Sequence, residues 1–375
     1  MLDINIKEYL NIHSPGYVIR TYKDGKIEED VIGNKRVVPY KEKVNSGTLY
    51  DIASLTKTFT ATLCYIAVEE NKLDINKNIF DIDNRFVNLT NVTPLDLLAH
   101  KVELWTDGYL GDSKNKQEFL NKLYTVTIKS KNPTYVDVHY MILSRILEIV
   151  YNEDYYELLL QKIIKPLGLE NTTFYPKGDI ASCNFEHTPN GDITYILEGY
   201  IHDTKARVAK EFGIHTGHAG LFTTAEDLMK FLISFVEEDK MILKPETIKF
   251  MLSHRNIDKE NLVNMSKFVS VNDDVNIMYK ECLDKKIDVH VSRCINNMGV
   301  RYKQKIALKN DVPYIASDNS IAFSGYSGPM FMIDFDKKII IVLMCNVVHN
   351  SHLNRVERKA ITDKLIEKIY EKIEK

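Results

Sequence analysis

The sequence predicts an α+β fold in which strands at both ends of the chain enclose a mainly helical region. Near the start, the β-branched and aromatic run 17–22 predicts a strand, and Asp24-Gly25 predicts a hairpin turn to a second strand. Helical periodicity dominates between about residues 60 and 170, and short strands return after residue 320. This order is typical of an α+β chain with a helical insertion.

Apolar spacing and capping residues predict the helices of the central region. The apolar stripe within 55–66 predicts one helix, and the pair Thr93-Pro94 predicts the start of a second. Apolar residues at i, i+3, i+4 and i+7 predict a third helix within 143–150. Asn152 is expected to cap a fourth helix over 155–164.

The last part of the chain is predicted to return to sheet and to end in a helix. Thr223 and Glu226 have capping-box spacing before an apolar helix over 228–236. No structure is assigned to 254–296. Strands are expected at 321–323, 330–333 and 339–345. The charged tail from about residue 354 carries an apolar helical stripe that could bind a partner, although packing against the sheet is expected. The stripe consists of Ile361, Leu365, Ile369 and Ile373.

Composition excludes several classes of protein. The chain has 375 residues, of which 44% are apolar and 27% charged, as in soluble globular proteins. Its net charge of −3 gives no reason to expect nucleic acid as a partner. The start lacks an apolar signal core, and no apolar run reaches membrane length, so a cytoplasmic protein without a membrane span is expected. Reduced thiols are expected for Cys64, Cys183, Cys282, Cys294 and Cys345.

The chemical signal lies in Ser54-Leu55-Thr56-Lys57, at the predicted start of the first helix. Residues three apart share a helix face, so the Lys57 amine can reach the Ser54 hydroxyl. A serine needs an adjacent base to act as a nucleophile, and a lysine can be that base if burial or positive potential lowers its pKa. Alternatively, Ser54 starts the helix and Lys57 is solvated. A second match to this spacing, Ser113 to Lys116, lies in a polar stretch and is interpreted as chance.

Six segments, taken together and in order, resemble one enzyme superfamily. They are the Ser-x-x-Lys segment 50–58, the segment 92–100, Tyr135-Val136-Asp137, 166–169 with Thr172, the Gly-His-Ala-Gly run 217–228, and 323–328. They resemble the serine β-lactamase and penicillin-binding-protein superfamily, in its class C β-lactamase, D-aminopeptidase and esterase-like branch. The resemblance covers about residues 15 to 350 and points to fold and superfamily, not to one substrate.

The resemblance implies an α/β sandwich of the β-lactamase/transpeptidase type. An antiparallel sheet flanked by helices would be joined to a mainly helical lobe. Residues 1–60 and 205–375 would form the sheet domain, and residues 61–204 the helical domain. The active site would lie at the seam between them.

The resemblance also implies roles for individual residues. Ser54 would be the acylated nucleophile and Lys57 the adjacent base or proton relay. Tyr135 would transfer a proton between Ser54, the leaving group and water. Alternatively, it is an ordinary aromatic residue packed at the seam. Which of Lys57 and Tyr135 is the general base stays open. Asp137 could cap the following helix, contact substrate or Lys57, or do both. His218 is expected to shape its glycine-flanked loop.

The segment 323–328 is expected to complete the substrate site. The resemblance implies an oxyanion hole made by the backbone N–H groups of Ser54 and Tyr326, with Ser324 and Gly325 beside the substrate. Gly325 suits this position, because a missing side chain lets substrate approach the backbone. Phe323 stands where relatives carry lysine or histidine, which can bind a substrate carboxylate. We therefore expect weak activity on penicillins, cephalosporins and D-Ala-D-Ala ends, and better activity on neutral esters or otherwise recognised peptides.

The sequence is therefore interpreted as that of a serine hydrolase acting through a Ser54 acyl-enzyme on a small-molecule or peptide ester or amide. No metal or other cofactor is expected, because the sequence contains no metal-ligand spacing, phosphate loop or dinucleotide fingerprint. The alternative is a catalytically impaired relative that binds a peptide or cell-wall fragment in the same cleft. An interaction protein that uses the C-terminal helix is a third interpretation.

Overall fold

The computed structural model describes residues 6–131, 134–187, 193–253, 296–303, 312–313, 315–349 and 353–375. The segment 254–296, for which the sequence predicts no structure, lies outside the described residues except for Asn296. Among the helices of the described ranges, none has the length and apolar character needed to cross a bilayer.

Strands and helices alternate in blocks along the chain. The strands are β1 (Gly16–Lys23), β2 (Lys26–Arg36), β3 (Glu42–Lys43), β4 (Tyr50–Asp51), β5 (Glu103–Trp105), β6 (Thr127–Ser130), β7 (Asn184–His187), β8 (Ile193–Leu197), β9 (Phe222–Thr223), β10 (Arg301–Tyr302), β11 (Ser320–Ser324), β12 (Met330–Asp334) and β13 (Ile339–Cys345). The helices are α1 (Thr56–Glu69), α2 (Ile79–Ile82), α3 (Pro94–Leu98), α4 (Lys116–Tyr124), α5 (Val138–Tyr151), α6 (Tyr155–Leu159), α7 (Thr204–Glu211), α8 (Ala225–Ile233), α9 (Pro245–Leu252) and α10 (Arg355–Glu374).

The main sheet is antiparallel and joins the two ends of the chain. Its seven strands run in the order β10-β11-β12-β13-β1-β2-β3. The β1–β2 hairpin turns at Asp24 and Gly25, both with positive φ, as the sequence predicts. The predicted fold, an antiparallel sheet flanked by helices, is confirmed, whereas the division of the chain at residues 60 and 204 stays a prediction.

The central strands of the sheet are buried on both faces, as β13 shows. Successive strand side chains point to opposite faces. Ile340, Val342 and Met344 accordingly join the core shared with the helical region, whereas Ile341 and Leu343 join a second core on the other face. The second core is closed by α10, through the buried side chains of Leu365, Ile366, Ile369 and Tyr370. The C-terminal helix therefore packs against the sheet, as predicted.

Two capping predictions are wrong, each by one or two residues. Asp154, not Asn152, caps α6, and its carboxylate accepts the N–H groups of the first turn. Asn152 instead ends α5 in the left-handed conformation. Thr224, not Thr223, caps α8, because the Thr223 side chain is turned to the buried hydroxyl of Thr172, 2.7 Å away. In both cases a neighbouring residue of equal capping ability takes the position.

The start of α1 is fixed by contacts with the chain around residue 222. The short strand β4 pairs with β9, and the Ile52 N–H donates to the carbonyl of Leu221 at 3.0 Å. From there α1 runs into the core, with every side chain from Thr56 to Ala67 buried. The residues just before α1 are therefore held at the junction of the sheet and the helical region.

Candidate active site

A strained turn presents Ser54. Ala53 has φ of +44°, a conformation that costs a non-glycine residue about 1–3 kcal/mol and is found mainly at functional sites. The Asp51 carboxylate holds this turn, since it accepts the Ala53 N–H at 2.8 Å and the His202 N–H at 2.7 Å. Burial raises the pKa of Asp51 to about 6. Asp51 could not be singled out from the sequence, because the turn that it stabilises has no sequence signature.

Lys57 is buried beside Ser54. Its side chain is 1% exposed, and its Nζ lies 3.1 Å from the Ser54 Oγ. The same ammonium donates to Asp137 Oδ1 at 2.9 Å and to the carbonyl oxygen of His218 at 3.0 Å. This geometry rules out a solvated Lys57. The second Ser-x-x-Lys match differs, because Lys116 is exposed at the start of α4.

The pKa of Lys57 does not meet the condition that the sequence analysis gives for a lysine base. Burial alone would favour the neutral amine, but the Asp137 carboxylate and the Tyr135 phenol outweigh it, so that the pKa of Lys57 lies above its ordinary value. A lowered pKa is therefore not found for Lys57 in this structure. The physical reason is the Asp137 carboxylate, which becomes the neighbour of Lys57 only when α1 and α5 pack together.

Asp137 does not cap α5 with its side chain, although it precedes the helix. One carboxylate oxygen binds Lys57, and the other lies 3.1 Å from the Nζ of Lys205. Burial would raise the pKa of Asp137, but Lys57, His218 and Lys205 hold it well below its ordinary value. Asp137 therefore carries a negative charge between two lysines.

Tyr135 lies over the same amine. Its ring centroid is 5.1 Å from the Lys57 Nζ. The His100 ring lies tilted against it, with the ring centroids 4.6 Å apart, and the Phe323 ring lies at 6.4 Å. Tyr135 is therefore placed between the candidate base and the strand that carries the substrate segment.

Two residues that the sequence analysis did not identify complete the charged cluster. Asp203 binds Lys205 through Oδ2 at 2.9 Å and accepts the Nε2–H of His218 through Oδ1 at 3.0 Å. Asp203 also caps α7 by accepting the Ala206 N–H. The capping pattern Asp203-Thr204 before a helix was the signal available in the sequence, and it indicates a helix start rather than a site.

The cluster has the composition of a metal site but holds two ammonium groups. One ligand atom each of Asp137, Asp203 and His218 lies within 4.8 Å of the others. The Asp137 oxygens, however, bind Lys57 and Lys205, and Lys205 also binds Asp203. Because two positive charges already neutralise the two carboxylates, these residues fit an ion-pair network better than a divalent cation.

The segment after β11 lies directly against the backbone that precedes Ser54. A Cβ atom on Gly325 would lie 2.6 Å from the carbonyl oxygen of Ile52. The Ser327 hydroxyl donates to the Asp51 carbonyl at 2.7 Å. Tyr326 is 48% exposed, and its ring lies tilted against that of His202, with the centroids 5.4 Å apart. Ser324, the last residue of β11, is half-buried beside this segment. The structure thus brings all seven sequence-predicted site residues to one region.

Comparisons with known proteins identify the family of this chain. A family model described as Beta-lactamase matches residues 2–365. The N-acetylmuramyl-L-alanine amidase of Bacillus subtilis is 26% identical over 254 residues, which are 57% of either chain. A putative D-alanyl-D-alanine carboxypeptidase of Escherichia coli is 28% identical over 244 residues, 55% of this chain and 56% of the relative. The chain thus spans little more than half the length of these curated relatives.

The fold is also that of a solved enzyme structure. A class C β-lactamase from Rhodobacter sphaeroides superimposes with a TM-score of 0.65 and 14% identity, covering 99% of this chain and 98% of that chain. At this identity the likeness concerns the fold alone. The family model, however, spans nearly the whole sequence. This chain belongs to the Beta-lactamase family.

Proposed function

We propose that this chain is a serine hydrolase that cleaves an ester, amide or peptide bond through an acyl-enzyme on Ser54. The observation that supports the proposal most is the hydrogen bond between the buried Lys57 Nζ and the Ser54 Oγ. A nucleophile in contact with a base, which is itself oriented by a third group, is the arrangement required for covalent catalysis. Asp137 is that third group here.

In the proposed reaction the Ser54 Oγ attacks the substrate carbonyl carbon, and its proton passes to the neutral form of Lys57. The backbone N–H groups of Ser54 and Tyr326 stabilise the oxyanion of the tetrahedral intermediate. As the intermediate collapses, the proton moves through Lys57 or Tyr135 to the leaving group, which departs as an alcohol or amine. A water molecule then attacks the acyl-enzyme, and its proton returns to the Ser54 oxygen.

The curated relatives support hydrolysis of an amide or peptide bond. Their names describe an amidase and a carboxypeptidase, both of which act on bonds of this kind. Because these relatives match over little more than half of their length, the substrate of this chain is proposed as a class. The class is a small-molecule or peptide ester or amide.

Phe323 is proposed to disfavour substrates with a carboxylate next to the scissile bond. It is buried, and its ring faces Tyr135 instead of offering a cation. Phe323→Lys should therefore raise kcat/KM for benzylpenicillin relative to p-nitrophenyl acetate by about tenfold, the value of one charge-assisted hydrogen bond. Phe323→Leu is the uncharged control. Rapid penicillin turnover by the unsubstituted protein would contradict this proposal.

Labelling with a fluorophosphonate probe tests the proposed nucleophile. Intact-mass measurement should show one adduct on the unsubstituted protein and none on Ser54→Ala, since a phosphonate bonds only to an activated serine. Ser113→Ala, in the second Ser-x-x-Lys match, is the matched control and should be labelled normally. If the unsubstituted protein is neither labelled nor able to hydrolyse p-nitrophenyl esters, the alternative of a peptide-binding relative is favoured.

A further inference from the structure

Asp203 and Lys205 extend the Ser54–Lys57 pair into a closed network. Asp137 lies between Lys57 and Lys205, and Lys205 lies between Asp137 and Asp203. Asp203 in turn binds His218, whose carbonyl oxygen accepts from Lys57. The network therefore begins and ends at the same amine.

The two carboxylates and the two lysines of this network alternate in charge. Burial would lower the pKa of Lys205, but Asp137 and Asp203 hold it above its ordinary value. Burial would raise the pKa of Asp203, but His218 and Lys205 hold it well below its ordinary value. Both residues are thus charged throughout the neutral range. Each adds a fixed charge close to Lys57.

We propose that Lys205 and Asp203 are positioning residues that set the protonation of Lys57 through the shared Asp137 carboxylate. The proposal rests on the proposed function. A base must lose its proton before it can accept one from Ser54, whereas Asp137 favours the ammonium form. Lys205 opposes that effect, because it engages the second Asp137 oxygen and adds a positive charge. Asp203 weakens this effect of Lys205, because it binds the same ammonium group as Asp137 does.

Other titratable groups face the network and do not account for this effect. Burial lowers the pKa of His139 to about 3 and raises that of Tyr140 well above its ordinary value, so both stay uncharged near neutrality. Among the described residues, the network also faces Tyr135, His100, His218, Tyr109, Asp51 and His202. All six are unchanged in every variant proposed below.

The test compares the pH dependence of fluorophosphonate labelling at Ser54 in charge variants. Lys205→Met removes a positive charge. The acid limb of the rate profile, in which labelling becomes faster with pH, should therefore move to higher pH, and labelling at pH 8 should slow about tenfold. Asp203→Asn removes a negative charge but keeps the helix cap, so the limb should move to lower pH and labelling should become about tenfold faster. Lys205→Arg keeps the positive charge and should leave the pH profile of labelling unchanged.

Lys210→Met is the matched control on the same helix. Lys210 binds the carbonyl of Phe174, away from Asp137, and its loss should leave the profile in place. Shifts of the same direction in Lys205→Met and Asp203→Asn, or equal rate losses at every pH, would overturn the proposal. Thermal unfolding identifies any variant that fails to fold. If Lys205→Met does not fold, Asp203→Asn decides whether the proposal holds, because asparagine keeps the helix cap without the charge.

A direct measurement separates this inference from the proposed function. NMR titration of ¹³C-labelled lysine, with the Lys57 signal assigned from Lys57→Met, reports the protonation of Lys57 without any reaction. Opposite shifts of its midpoint in the two variants support the inference even if Ser54 is never labelled. If Ser54 is labelled but the Lys57 midpoint is the same in all variants, the inference fails and the proposed function stands.

Discussion

Lys57→Met should reduce the rate of Ser54 acylation by about 10³-fold, within the range of 10²–10⁴ found for general bases. The Lys57 Nζ lies 3.1 Å from the Ser54 Oγ, and a methionine thioether cannot accept a proton from it. The loss should appear in kcat/KM for p-nitrophenyl acetate and in the rate of fluorophosphonate labelling. Labelling at the normal rate would show that another group, with Tyr135 the first candidate, removes the serine proton.

Two measurements separate this chemical loss from a loss of structure. Lys116→Met, at the exposed lysine of the second Ser-x-x-Lys match, should keep full activity. Thermal unfolding of Lys57→Met should remain cooperative, because Asp137 keeps Lys205 as a partner for its charge. The raised pKa of Lys57 also fixes the sign of the pH dependence in the unsubstituted protein. Acylation should accelerate as pH rises, because the neutral amine is the active form.

Gly325→Ala is the second substitution with a large expected effect. The added Cβ would lie 2.6 Å from the carbonyl oxygen of Ile52, and backbone atoms cannot give way as a flexible side chain can. The segment that carries Tyr326 should therefore move away from the turn before Ser54. If the Tyr326 N–H is an oxyanion donor, kcat should fall by about 10²–10³-fold.

The control for Gly325→Ala is Gly47→Ala. At Gly47 an added Cβ would have one neighbour, the Asn45 Oδ1 at 3.4 Å, which is an ordinary contact. Activity and thermal stability should both be unchanged. Normal kcat in Gly325→Ala, with the fold intact, would show that the segment 324–328 does not position a catalytic donor.

Local patterns predict the elements of this fold well. The hairpin at Asp24-Gly25 and the stripe on α10 follow from periodicity and turn chemistry within a few residues of sequence. Helix caps are less certain, since Asp154 and Thr224 take positions that Asn152 and Thr223 could also fill. Adjacent residues of similar capping ability differ little in energy, and tertiary contacts decide between them.

The contact between Ser54 and Lys57 could be predicted from the sequence because the two residues are three positions apart at the start of α1. The charge on Lys57 could not be predicted, because it depends on Asp137, Lys205 and Asp203, which other parts of the chain contribute. The amino-acid sequence by itself thus determined the α+β class of the fold and singled out Ser54 and Lys57 as the candidate reactive pair. Only the tertiary structure decided the protonation of that pair, because electrostatic energy depends on distances in space that spacing along the chain does not specify.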